Sequence, residues 1–135
     1  MYIKKLFTKT GKPDVKRREE DFFPTISFIV PVFNKEDEIV KCIERLFNYA
    51  SNYPGFVEIF VIDNGSQDNT YEVAYATMEM RKRTFPRVRT KLIRLSQKLE
   101  IQEILKICLK AALGQKRVIV KCEKSGITAE MLNYS

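Results

Sequence analysis

A carboxylate, an amide, a glycine and a hydroxyl stand in a row at Asp63-Asn64-Gly65-Ser66, directly after the apolar run Val57–Ile62. A carboxylate where a buried strand ends can accept a hydrogen bond from an N–H of a ligand. Gly65 lets the backbone turn with positive φ, and Ser66 and Asp68 can cap a following helix. The same residues can equally do no more than turn the chain and cap that helix. Two other segments fall at strand ends, Pro31–Asn34 and Lys121–Glu123. The sequence has no histidine, which excludes Ser-His-Asp and Cys-His catalysis and histidine-rich metal sites. Acid–base work falls to Asp, Glu, Lys, Tyr or Cys.

The elements that position these residues follow from hydropathy patterning. Ile26–Phe33 (ISFIVPVF) is a near-continuous, branched apolar run, as in a strand buried on both faces. Pro31 marks the end of that strand. Asn34 offers a helix N-cap, with Glu36, Asp37 and Glu38 in the first turn. Ile39, Ile43, Leu46, Phe47 and Ala50 recur at helical spacing as far as Tyr53-Pro54-Gly55. Val57–Ile62 is a second buried strand. The next helix carries Val73, Ala76, Thr77 and Met80 on one face, and a third strand covers Val88–Leu95. A helix over Leu99–Leu113 turns Ile101, Leu105, Cys108 and Ala112 inward, with Gly114 as its C-cap. Arg117–Cys122 is a fourth strand. The order β-α-β-α-β-α-β implies a Rossmann-like α/β fold, a three-layer α/β/α arrangement around a mainly parallel sheet with right-handed crossovers.

The chain has 135 residues, long enough for one core, and its 44% hydrophobic and 30% charged residues are ordinary for a globular protein. The net charge of +7 is unevenly placed: Arg81–Lys98 holds eight basic residues and no acidic one, and so the whole basic excess. Residues 1–24 read as a basic N-terminal arm, and residues 25–135 as the α/β domain. In the arm, Tyr2, Ile3, Leu6 and Phe7 form a small apolar face among lysines that can settle on an anionic surface; a solvated tail is the plainer reading. Cys42, Cys108 and Cys122 are odd in number and show no CxxC spacing. They read as small core residues in a reducing compartment rather than as a disulfide framework or a zinc site. No run is long enough to span a membrane, and no signal-peptide pattern opens the chain. The expectation is a cytoplasmic protein, either free or peripheral to a membrane.

Ile29-Val30-Pro31-Val32-Phe33-Asn34-Lys35-Glu36 resembles the opening strand and loop of family 2 glycosyltransferases, I-V-I-P-x-Y-N-E-E. Val61-Ile62-Asp63-Asn64-Gly65-Ser66-Gln67-Asp68-Asn69-Thr70 resembles their V-V-D-D-G-S-x-D-x-T, with Asn64 in place of an aspartate. The motifs stand in the right order and separation, and the resemblance covers about residues 25–123. It implies the GT-A nucleotide-diphospho-sugar fold and a pocket for a nucleotide or nucleotide-sugar. Pro31, Phe33 and Asn34 would line the nucleotide pocket, Glu36 would sit at the ribose, and Asp63, with Asn64 beside it, would meet the base.

The resemblance also implies a divalent metal, Mg or Mn, held by D-x-D against the diphosphate. Counting on from Ala111-Ala112-Leu113-Gly114, Lys121-Cys122-Glu123 falls on D-x-D. A glutamate beside a lysine is a poor site for such an ion, so no metal residue is assigned. Lys121 can instead take phosphate directly as a point charge, or simply pair with Glu123. Counting back, Ile101 replaces the lysine of the family's G-K-G segment. Only Gly126–Ser135 follow, where the family carries its acceptor-binding half and catalytic base, so no catalytic residue is assigned.

The leading expectation is therefore a degenerate glycosyltransferase-like domain, a pseudoenzyme that keeps a nucleotide-sugar pocket. One alternative is a non-catalytic module docking a lipid headgroup or nucleic acid through segment 81–98. The other is an active enzyme completed by a partner subunit or a second copy in a homo-oligomer.

Overall fold

The computed structural model describes residues 24–124 and 126–132. All of the expected N-terminal arm except Pro24 lies outside the described residues.

Nine elements follow one another: β1 (Ile26–Val32), α1 (Ile39–Ser51), β2 (Val57–Asp63), α2 (Thr70–Arg81), a 3-10 turn (Lys82–Thr84), β3 (Val88–Arg94), α3 (Ile101–Ala111), β4 (Lys116–Glu123) and β5 (Gly126–Leu132). The strand order is β3-β2-β1-β4-β5. β1 pairs in parallel with β2 and β4, and β2 with β3, while β4 and β5 run antiparallel. The fold is α/β and Rossmann-like, as the alternation of elements implies. β5 is an addition to the expected order. A short antiparallel return strand needs only a tight turn, here at Gly126 with φ 143°, and lacks the long apolar run of a buried parallel strand.

β1 and β2 are central, so both their faces are covered; every residue of β2 is buried. α1 and α2 cover one face. Ile39, Cys42, Ile43, Leu46, Phe47 and Ala50 of α1 pack there on Phe28, Val30, Val32, Ile59 and Val61. Each such fully buried large side chain contributes about 1.5–3 kcal/mol of transfer free energy. α3 covers the other face, where Ile104, Cys108 and Ala112 meet Ile29, Phe60 and Ile62.

Several local expectations are corrected. α1 begins at Ile39 rather than after Asn34, and its N-cap Glu38 makes no side-chain capping bond. Asn34 has φ 51° and caps nothing; its side chain accepts the Gln67 N–H at 2.8 Å. In α2 the inward residues are Thr70, Ala74 and Met78, while Met80 is 68% exposed. In α3, Ile104 points inward instead of Ile101 or Leu105, and Ile101 is 53% exposed. Cys108 and Ala112 are buried as expected, so the α3 stripe errs only in its first turns, whereas α2 mixes apolar residues around its circumference and its inner stripe lies one position from the expected one. Gly114 lies beyond the C-cap Ala112. Its role is close approach: a Cβ there would meet Ile26 C and Ser27 Oγ at 2.6 Å.

β1 runs through Pro31 to Val32 instead of ending at the proline. The Val32 carbonyl accepts the Asn64 N–H from the β2 side at 2.8 Å. By strand alternation the donor that Pro31 lacks would face β4. Pairing between β1 and β4 stops at Ile29↔Ile119, so no ladder bond is lost.

The cysteine reading is also corrected. Cys42 and Cys122 form a disulfide, and only Cys108 is free. The partners are 80 residues apart; they meet because the inner stripe of α1 crosses the inward face of β4, which spacing along the chain does not reveal.

Candidate functional site

Beyond Ile119, β4 parts from β1 and leaves a cleft at the carboxyl ends of the strands. Its volume is about 550 Å³. Pro31 and Phe33 line it from β1, Asn64 from the turn after β2, and Lys121 from β4; Lys98 and Ile101 close it from the segment leading into α3. Open parallel sheets bind ligands at such a divergence.

The turn after β2 organises this rim. Gly65 has φ 74°, and a Cβ there would lie 2.8 Å from Gln97 C and Lys98 N. Glycine thus lets the 97–98 backbone close onto the turn. Asn64 completes the junction: its Nδ2 donates to Leu99 O at 3.0 Å, and its Oδ1 accepts Leu99 N–H at 2.8 Å. The closure sets the Lys98 ammonium 4.0 Å from the centroid of the Phe33 ring, a cation–π contact. Among the side chains described, neither Lys98 nor Lys121 has a carboxylate partner within ion-pair distance, and Glu100 lines the same cleft.

The nucleotide-pocket residues expected from sequence divide into two groups. Pro31, Phe33 and Asn64 meet at the cleft. Asn34 and Glu36 are instead engaged with the 66–70 turn. The Asn34 N–H donates to Ser66 Oγ at 2.8 Å, and Glu36 Oε1 accepts the Asn69 N–H at 3.2 Å. Ser66 therefore caps the β1 loop instead of α2. Asp68 does serve α2, accepting the Thr70 N–H at 3.0 Å and its hydroxyl. Burial pushes the Asp68 carboxyl up, but the Thr70 hydroxyl and the N–H groups of Thr70 and Glu36 outweigh it, and its pKa lies below the ordinary 3.8.

Asp63 stands next to Asn64 and in register with Val32, both cleft residues. It is fully buried; Oδ1 accepts the Ser66 N–H at 3.3 Å, and Oδ2 has no partner. A buried acceptor without a donor costs about 1–3 kcal/mol.

Lys121 and Glu123 are not brought together. Lys121 lines the cleft, whereas Glu123 lines a second one beside α1. No group of three or more His, Cys, Asp or Glu among the described residues is placed to hold a metal ion. The residues at the D-x-D position do not fit a divalent cation: the side chain at the cleft is itself a cation.

Beside Leu99 and Ile104, Lys98 is a cleft residue that sequence reasoning missed. It was counted only within the basic segment, whereas the family's phosphate-side lysine aligns with Ile101. The signal was Gly65, whose freedom is needed only if another backbone comes close. Most of the remaining basic segment is engaged within the fold. Arg81 pairs with Glu44, Lys82 with Glu79 at 2.6 Å, Lys91 with Glu58 at 3.5 Å and Arg94 with Glu72 at 3.2 Å.

Residues 27–121 match the family model described as Glycosyl transferase family 2, and the chain belongs to that family. Among curated proteins it is similar to glycosyltransferase AglE of Haloferax volcanii, at 42% identity over 52 residues, which are 38% of this chain and 16% of that protein. Three solved structures share the fold. The mannosyltransferase PcManGT of Pyrobaculum calidifontis, in complex with GDP-Man and Mn2+, has a TM-score of 0.58 at 23% identity, covering 83% of this chain and 31% of that one. Residues 1–349 of S. aureus TarS give 0.55 at 23% identity, with coverages of 72% and 27%. Glucosyl-3-phosphoglycerate synthase of Mycobacterium tuberculosis, in complex with Mn2+, UDP and phosphoglyceric acid, gives 0.55 at 23%, with coverages of 73% and 32%. The chain spans about a third or less of the length of each. No helix among the described residues is long and apolar enough to cross a membrane.

Proposed function

We propose that this chain is a donor-binding glycosyltransferase domain whose cleft takes a nucleoside diphosphate or its sugar, with lysines in place of a metal ion. One observation carries the reading: the cleft joins Pro31, Phe33 and Asn64, from both family motifs, to two lysines with no carboxylate partner among the described residues. The Phe33 ring and Pro31 offer an apolar wall for a base or ribose. Lys98 and Lys121 supply positive charge for phosphate oxygens. Asp63 Oδ2, buried and unpartnered, is an acceptor for a base N–H once the 64–67 turn admits one.

The family's metal-dependent route does not suit these residues. A divalent ion would face Lys121, and repulsion would weaken its hold. Without that ion the departing diphosphate loses its main electrostatic stabilisation, so the domain is degenerate in sugar transfer while keeping donor recognition. The docking alternative is the weaker reading, because four of the eight basic side chains of segment 81–98 are ion-paired within the fold and Lys98 lies on Phe33.

The test is a thermal-shift and calorimetric screen of UDP, GDP, CDP, dTDP and their sugars, with manganese and with chelator. A nucleoside diphosphate at about 100 times its Kd should add about 2.7 kcal/mol to the folded state. The gain should be the same with either addition and shrink with salt. Lys98→Met and Lys121→Met should each lower affinity. Manganese-dependent sugar transfer, or no binding at millimolar nucleotide, overturns the reading.

A further inference from the structure

The tip of β4 is held in an unusual way. Its ladder with β1 ends at Ile119, so Val120–Glu123 have β5 on one side, the packing of Val120 and Cys122 on α1, and the Cys122 bond to α1. Of these ties to α1 the bond is the covalent one, and Cys42 is 2% exposed. Lys121, which lines the nucleotide cleft, adjoins Cys122. The covalent bond therefore adds to packing and the β5 ladder in fixing the Lys121 end of the strand.

The bond also borders a second opening. A cleft of about 360 Å³ beside the N-terminal half of α1 includes Cys42 in its lining, but not Cys122. Lys41, Arg45 and Lys124 bring positive charge to this cleft, and Asp37, Glu38 and Glu123 bring negative charge. An occupant carrying an ammonium group, carboxylates and a thiol would find a counter-charge for each ionic group. We infer that this cleft is a thiol–disulfide exchange site for a small zwitterionic thiol of the glutathione class, and that opening the Cys42–Cys122 bond releases the Lys121 end of β4.

The exchange balances with the thiol alone. Its thiolate attacks Cys42 Sγ and forms a mixed disulfide; the Cys42–Cys122 bond breaks, and its electron pair leaves on Cys122 Sγ, which takes a proton from water. A second thiolate attacks the small-molecule sulfur of the mixed disulfide. That step frees the Cys42 thiolate, which is then protonated, and the oxidised thiol dimer. The oxidised dimer drives the reverse reaction, re-forming the protein bond and giving back two thiols. Cys108 is an internal reference: it is fully buried under α3, and burial pushes its thiol up to about 12, so it stays protonated and inert. The inference holds whether or not the first cleft binds a nucleotide.

The experiment equilibrates the purified chain in buffers of varied reduced-to-oxidised glutathione ratio. Alkylation under denaturing conditions and intact mass then count the free thiols. One thiol is expected at the oxidised end, Cys108, and three at the reduced end. Cys122→Ser should accept one glutathione at Cys42, and Cys42→Ser should accept none at Cys122. Hydrogen exchange at 120–123 should speed about tenfold or more on reduction, with 57–63 unchanged. Three free thiols at every ratio, a bond that glutathione does not open in the folded chain, or unchanged exchange at 120–123 each overturn the proposal. If either serine variant fails to fold, the wild-type thiol count and exchange decide it.

Discussion

Asn64 binds the backbone of Leu99 through both ends of its amide, donating to the carbonyl at 3.0 Å and accepting the N–H at 2.8 Å. The side chain acts as one rung of a β-ladder between two loops. An ionised carboxylate cannot do this, because it only accepts. The position at which the family pattern carries an aspartate therefore has a structural reason to be an amide in this chain.

Asn64→Asp should strand the Leu99 carbonyl and loosen the 97–99 segment. The expected loss is about 1–3 kcal/mol, read by urea unfolding. Hydrogen exchange should rise at Lys98 and Leu99 ahead of α3. Unchanged exchange there would show that the Gly65 contact suffices by itself.

At the other end of the sheet, Glu58 is fully buried among Ser27, which donates to it at 2.6 Å, the Leu113 N–H at 2.9 Å, and Lys91 at 3.5 Å. Lys91→Met leaves a buried carboxylate without its counter-charge. It should cost about 3 kcal/mol, the low end of buried-pair losses because Lys91 keeps some contact with water. Arg94→Met breaks only the exposed pair with Glu72 and should cost less than about 1 kcal/mol. Equal losses in denaturant melts would contradict this ranking.

Gly114→Ala puts a methyl group against the backbone of Ile26 and Ser27, which cannot yield as a side-chain tip can. Overpacking of this kind costs about 1–3 kcal/mol or more. The Gly114 N–H bond to Ser27 Oγ at 2.7 Å should weaken with it. A melting temperature within a degree of wild type would refute the close approach.

Asp68 gives a pH signature. Its folded pKa is below the ordinary 3.8, so the carboxylate contributes stability that is fully present above that value and fades as pH falls through the folded pKa. Asp68→Asn should melt lower than wild type at pH 7, and the gap should narrow below about pH 4. A gap independent of pH would mean that the charge contributes nothing.

The strands and the first helix could be read from sequence because one physical signal dominates each. Val57–Ile62 is apolar at every position but Glu58 since β2 is covered on both faces, and α1 has a clean stripe from Ile39 to Ala50. The inward face of α2 lies one position from the periodic reading and α3 differs only at Ile101 and Leu105, because Met80 and Ile101 are apolar yet exposed, while Cys108 and Ala112 face inward as the periodicity implies. Pro31 was read as a strand end because its tolerance depends on where β4 turns away, a tertiary fact. In the cleft, Pro31, Phe33 and Asn64 follow from the resemblance to the family's two motifs. Lys98 and the Cys42–Cys122 pair do not, since each depends on which segments the fold lays side by side.

The strand order also bears on how the molecule assembles. β1 meets β2 after a loop of about 30 residues, Ile26 to Val57, but meets β4 only after 90, Ile26 to Lys116. Closing the longer loop costs about 1 kcal/mol more in chain entropy, and much of that loop must first be folded into α1, β2, α2, β3 and α3. The β1–β4 seam, which carries the proposed donor cleft, is therefore expected to be the last join in the sheet to close during folding. Pulse-labelled exchange should show protection at 57–63 before 116–119, and the reverse order would refute it. Recognition of a donor would then wait on the final step of folding, so that no partly assembled chain presents the site.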